Sequence, residues 1–248
     1  MKTQHTSRRV IRKTLSALAL AVAPALLWAQ VSLYQYSESV GTYTEITAAD
    51  GGYSMGTPTY FPPLFNLRAF VDPAIPGGTV TNGYLNPAQG PGYPIGFDLT
   101  YNGEVFDRLS VSNSGFITFG KSSDGNQAVW TYAIDHPHGM PFVQFYGGPA
   151  VAYKRNRVAG WGTGSLQMQD QTPLDPPGPL SSIRLATLGT APNRVCVIQF
   201  KDFRGSYSSS STLINFQIRL NEVDNSVEVR FGHNVFGFQP GGSTQVGL

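Results

Sequence analysis

Cysteine is almost missing: Cys196 is the one cysteine in 248 residues. A single thiol excludes an intramolecular disulfide and leaves the core to hydrophobic packing, which a chain of this length can supply. Its setting, Val195-Cys196-Val197-Ile198, predicts a buried apolar thiol rather than a reactive one. Charge is also scarce, at 13% of residues, which fits many turns and few exposed helices. No segment beyond residue 30 carries a sustained helical apolar stripe. The only long apolar run, Leu15–Leu27, is too short to span a membrane comfortably. It follows Lys2, Arg8, Arg9, Arg12 and Lys13 and precedes the small residue Ala29, so residues 1–30 read as a secretory signal peptide cleaved beside Ala29 or Gln30. No cysteine follows it to carry a lipid. The leader holds five of the 17 basic residues and none of the 15 acidic ones. The mature chain therefore has 12 basic against 15 acidic residues, a formal −3, and the whole-chain isoelectric point of 8.6 misleads. With no basic patch, nucleic acid is excluded as a partner.

What the sequence has is turns and alternation. Gly 28 and Pro 18 are both above average usage. Residues 92–120 organise the whole. Ile95, Phe97, Leu99 and Tyr101 alternate with Gly96, Asp98 and Thr100, the period of a strand with one buried face. Asn102-Gly103 is a hairpin turn signal. A second run over 105–112 puts Leu109 and Val111 on one face, Asn113-Ser114-Gly115 turns again, and Phe116 to Phe119 completes a meander. Later, Ile183, Leu185 and Thr187 alternate. Arg194 to Phe203 is apolar on both faces, as a central strand is. Ile214, Phe216, Ile218 and Leu220 alternate with Asn215, Gln217 and Arg219. After a turn at 222–225, Val227, Val229 and Phe231 close a hairpin with one wet face. Residues 31–46 suggest two short strands carrying Leu33, Tyr34, Tyr36, Tyr43 and Ile46. Residues 48–59 read as loop with a short strand, 72–92 as a long surface connection, and 121–164 as the least regular stretch. The expected fold is all-β: one antiparallel β-sandwich, jelly-roll-like, over residues 31–248. The chain ends in Thr244-Gln245-Val246-Gly247-Leu248, the opening of a strand, so the domain reads as truncated at that end.

The segments YQYSESVGTYTEIT, FVDPAIPGG, GPGYPIGFDLTYNGEVFDRLSVSNSGFITFG, LGTAPNRVCVIQFKDF, INFQIRLNEVDNSVEVRFG and the terminal QVGL together resemble a secreted module of Bacteroidota surface and adhesin-like proteins. The resemblance covers most of 31–248 and implies a cell-surface β-module. It also implies further domains, commonly fibronectin type III modules and a type IX secretion sorting domain. The stretch 121–164 departs from that pattern, and no sorting domain is present. The shared motifs are structural, so no catalytic residue carries over.

Chemistry-bearing patterns are sparse. Asp135-His136-Pro137-His138 offers two imidazoles and a carboxylate, but Pro137 stiffens the turn and no further ligand is evident, so no metal is expected. Asp124-Gly125-Asn126 lacks the later Glu of a calcium loop and reads as a turn. Residues 160–164, GWGTG, have neither the lysine nor the helix of a phosphate loop. Ser114 and the run Ser206 to Ser211 lie in no nucleophile elbow. Asp98 and Asp107 fit ordinary outward carboxylates. The aromatics Trp130, Tyr132, Tyr146 and Trp161 either stack on sugar rings or plug the sandwich. Asn126, Gln127, Asp135 and Gln144 could bond hydroxyls beside them. The expectation is a secreted or outer-surface, non-catalytic module without cofactor. It binds polysaccharide or surface matrix through the four aromatics and carries no transmembrane anchor once mature. The alternatives are a hydrolase using loop carboxylates and a pure spacer of a larger surface protein.

Overall fold

Period-two alternation becomes strands wherever the sequence shows it. A computed structural model describes residues 34–55, 68–80, 88–131, 156–163, 181–203, 213–235 and 244–247. The expected signal peptide, Asp135 to His138 and the serine run at 206–211 lie outside them. The chain divides after Val40, and the sheets belong to Gly41–Leu248. Among the described residues the strands are β1 (Tyr53–Met55), β2 (Arg68–Phe70), β3 (Thr79–Val80), β4 (Ala88–Gly90), β5 (Tyr93–Tyr101), β6 (Glu104–Ser112), β7 (Phe116–Gly120), β8 (Val129–Thr131), β9 (Arg157–Thr163), β10 (Ser182–Leu188), β11 (Val195–Phe203), β12 (Ile214–Asn221), β13 (Val227–Phe231) and β14 (Thr244–Gly247). The fold is an antiparallel all-β sandwich.

One sheet has the order β1-β10-β11-β12-β13. The facing sheet runs β14-β9-β7-β6-β2-β3, with β5 also paired to β6. The expected meander is present: β5, β6 and β7 pair in sequence. Asn102 and Gly103 take φ of 51° and 76° at the first turn, as a tight hairpin connection requires. Residues β10 to β13 form the second meander, with β11 central as predicted.

The core is built from ladders of cross-strand pairs. Ile183, Phe200, Phe216 and Phe231 stand opposite one another across four strands, and Leu185, Ile198, Ile218 and Val229 make the next row. Phe200 and Phe216 stack with centroids 4.5 Å apart and planes 11° apart. The facing sheet contributes Ile95, Leu99, Leu109, Val111, Ile117 and Val158 to the same cluster. Arg194 clamps the sheets at one end. Its guanidinium pairs with Glu222, donates to Gly96 O and lies 5.6 Å from the centroid of Phe97.

Four expectations change. Residues 34–47 form no strand; 34–40 are exposed, and 42–46 cross the outer face of the five-stranded sheet. The wet face expected for β12 is therefore dry: Gln217 and Asn215 are buried. The connection 72–92 holds β3 and β4. The stretch 121–164 holds β8 and β9, and β9 is an interior strand between β7 and β14. Gly160 to Thr163 are thus sheet, not loop. A Cβ on Gly160 would sit 2.3 Å from the Phe216 ring, a separation real Cβ atoms do not tolerate. The glycine lets β9 approach the facing sheet.

Candidate functional site

The surface around Trp130 is built on the two-stranded sheet of β4 and β8. Lys121 leads into a short 3-10 stretch, Ser122–Gln127. Asp107 Oδ1 fixes its start by accepting from Ser122 N at 2.7 Å. Burial alone would raise the Asp107 carboxyl; hydrogen bonds from Ser122 outweigh it and hold the group below its ordinary range. β8 then pairs with β4 in the register Ala88 to Thr131, Gln89 to Trp130 and Gly90 to Val129. Val129 and Thr131 turn inward and are buried. Val129 seats in a small apolar cluster with Ala69, Val71, Ala88 and Ala128. Gly120 makes that seat possible, since a Cβ there would lie 1.9 Å from Ala128 O.

Alternation then puts Trp130 outward, 38% exposed. Directly opposite stands Gln89, half-buried. Its Nε2 is buried without a hydrogen-bond partner among the described residues. A large exposed aromatic beside an amide is the elementary kit for a polyhydroxylated ligand.

Of the other expected aromatics, Trp161 belongs elsewhere. Trp161 lies on β9, 7% exposed, and meets Phe231 edge-on with centroids 6.2 Å apart. It belongs to the main core, so its ring is not available for stacking. Tyr132 and Tyr146 lie outside the described residues. Asp98 is exposed on β5, while Asp107 serves the 3-10 turn. Among the described residues no three His, Cys, Asp or Glu side chains gather where a metal could bind. Cys196 is fully buried, and burial pushes its thiol up to about 12 despite a hydrogen bond with Thr187.

Sequence reasoning missed a second arrangement. Gln199 on β11 and Gln217 on β12 are cross-strand partners, and Arg230 on β13 is next in the row. All three side chains bond the backbone of 42–46. Gln199 Oε1 accepts from Ile46 N at 2.8 Å and its Nε2 donates to Ile46 O at 3.1 Å. Gln217 Nε2 donates to Thr44 O at 2.7 Å, and Arg230 Nη1 to Thr42 O at 3.2 Å. Ile46 packs with Ala186 and Val197, and Glu45 pairs with Lys201 at 2.5 Å. The signal was a pair of glutamines, one between Ile198 and Phe200 in an apolar run and one on the polar side of the β12 alternation.

The sandwich, with its covered sheet face and its surface tryptophan, defines an all-β module. The NIDO-related family model matches residues 70–149 and 168–248, more than half of the chain. The chain therefore belongs to the NIDO-related family, a domain found in extracellular proteins. Both matched segments contribute to one core cluster, Ile95 to Val111 from the first and Ile183 to Leu220 from the second. No curated protein and no solved structure matches the chain. No helix among the described residues is long and apolar enough to cross a membrane.

Proposed function

We propose that this protein is a non-catalytic, secreted or surface-attached module that binds polysaccharide on the outer side of β4 and β8. The observation that carries this reading is Trp130, an exposed ring on a strand anchored from below by Val129 and facing an amide whose buried nitrogen has no hydrogen-bond partner among the described residues. A sugar ring stacked on the indole would place hydroxyls beside Gln89. Rotation of that side chain would then satisfy its buried amide, which otherwise carries a desolvation penalty of roughly 1–3 kcal/mol. The resemblance to Bacteroidota surface modules supports a setting in a larger adhesive protein with further domains. A secreted chain with a formally acidic mature segment is also suited to a neutral ligand rather than a polyanion.

The test is retention of the full chain on a broad panel of immobilised polysaccharides and matrix proteins. Trp130→Ala should abolish retention and leave the melting temperature nearly unchanged, while Gln89→Ala should weaken it. Failure of the intact protein to be retained on any surface would leave the spacer role as the better account.

A further inference from the structure

We propose that the outer face of the five-stranded sheet is a binding site for an extended peptide, and that residues 42–46 occupy it in cis. The face is shaped before anything lies on it. Gln217 Nε2 donates to Gln199 Oε1 at 2.9 Å, and Arg219 Nη1 donates to Gln217 Oε1 at 3.1 Å. Glu228 holds Arg219 and Arg230 at 3.5 and 2.6 Å. The amide and guanidinium row is thus fixed by bonds among its own side chains. A preorganised site of this kind loses little freedom when a ligand arrives.

What the row recognises is backbone. It takes Thr42 O, Thr44 O, Ile46 N and Ile46 O, one strand after the next, and none of these atoms depends on residue type. Gln199 pairs with Ile46 as a neighbouring strand would, giving one acceptor and one donor to a single residue. Selectivity enters through side chains: the half-buried Tyr43, whose ring lies against Gly232 and whose hydroxyl is buried beside Gln217, and the two residues that end the segment. Lys201 takes a carboxylate at position 45, and Ala186 with Val197 takes a branched aliphatic at position 46. The ligand class is therefore an extended peptide with an aromatic residue two positions before an acidic one, which is followed by Ile or Val. The cis segment can yield to it, because its flanks hold little: Gly41 is exposed with open space around it, and the turn at 47–50 is exposed throughout. A tethered occupant competes at an effective concentration on the order of millimolar, so the site is masked until the cis segment is weakened.

The experiment uses the full chain and a labelled synthetic peptide with the sequence of residues 40–48. Ile46→Asp puts a carboxylate against Ala186 and Val197, and Glu45→Lys sets like charges against Lys201 without touching the apolar contact. Either change loosens the cis segment and leaves the face intact. Hydrogen exchange of the backbone amide at position 46 reports its release. The peptide should bind both variants at least roughly tenfold more tightly than the unaltered protein, given the masking. Adding Gln217→Leu to either variant should undo that gain. Three results would overturn the proposal: an amide at 46 as protected in both variants as in the parent, no peptide binding once that amide exchanges freely, or binding indifferent to Gln217→Leu.

Discussion

The outward residues of β5 and β12 make a controlled pair. Both strands alternate apolar with polar residues, and in both the apolar set enters the core. Yet Gly96, Asp98 and Thr100 on β5 face water, whereas Asn215 and Gln217 on β12 are buried, the latter completely. The difference lies outside the strands. Residues 42–46 lie over β12, and the bond from Gln217 to Thr44 spans 173 positions. Alternation identifies which face turns from the core; it says nothing of what settles on that face. A buried polar group must then find a partner. The glutamines are the trace of that second layer.

The largest effects should come from the inner face that the two sheets share. Phe216→Ala removes a fully buried ring stacked on Phe200 and should destabilise by roughly 3–5 kcal/mol in urea unfolding. Trp161→Ala should fall in the same range, because that ring also lies in the main core. A loss below about 1 kcal/mol, the scale of a surface change, would remove either residue from the core. Trp161 and Trp130 are thus separable by stability alone, since Trp130→Ala should stay near that surface scale.

The comparison itself is tested next. Gln217→Leu leaves Thr44 O and Gln199 Oε1 short of a donor inside a covered face, and should cost about 1–3 kcal/mol. Asp98→Ala, at the corresponding kind of position on β5, should stay within about 0.5 kcal/mol. Equal effects at the two positions would mean that 42–46 do not seal the face.

Legibility in the sequence followed the range of the cause. The meander of β5 to β7, the hairpin of β12 and β13, and the burial of Cys196 rest on local period and neighbouring residues, and all were readable. Residues 42–46 were read as strand because Tyr43 and Ile46 have strand chemistry. They are extended, but their partners are side chains of distant strands rather than a ladder. β9 was hidden by its glycines, which argue against a strand until the Phe216 ring that requires Gly160 is in view. β4 and β8, three residues each, are too short for any period to register. Composition could not separate Trp130 from Trp161; only their registers do.

The last test probes the core from its chemistry rather than its volume. Cys196 stands in the inner row between Thr187 and Leu220, and burial raises its thiol to about 12. A group whose pKa is raised on folding contributes stability that is fully present below its unfolded value and is lost as pH rises through the folded one. The unfolded thiol titrates near 8.5. Stability should therefore begin to fall above about pH 8.5, with a slope approaching ~1.4 kcal/mol per pH unit from this one group. Tyr43 and Tyr93 are raised in the same direction, mainly by burial. Unfolded tyrosine titrates near 10, so their contribution enters later. Urea midpoints measured under reducing conditions between pH 8 and about 10 isolate the thiol, and Cys196→Ala should flatten the slope there while lowering stability at every pH. A thiol reagent should leave the native protein unlabelled over that range and react promptly once urea unfolds it. Equal slopes in the two proteins, or prompt native labelling, would place the thiol at the surface and break the ladder of β10, β11 and β12 as drawn.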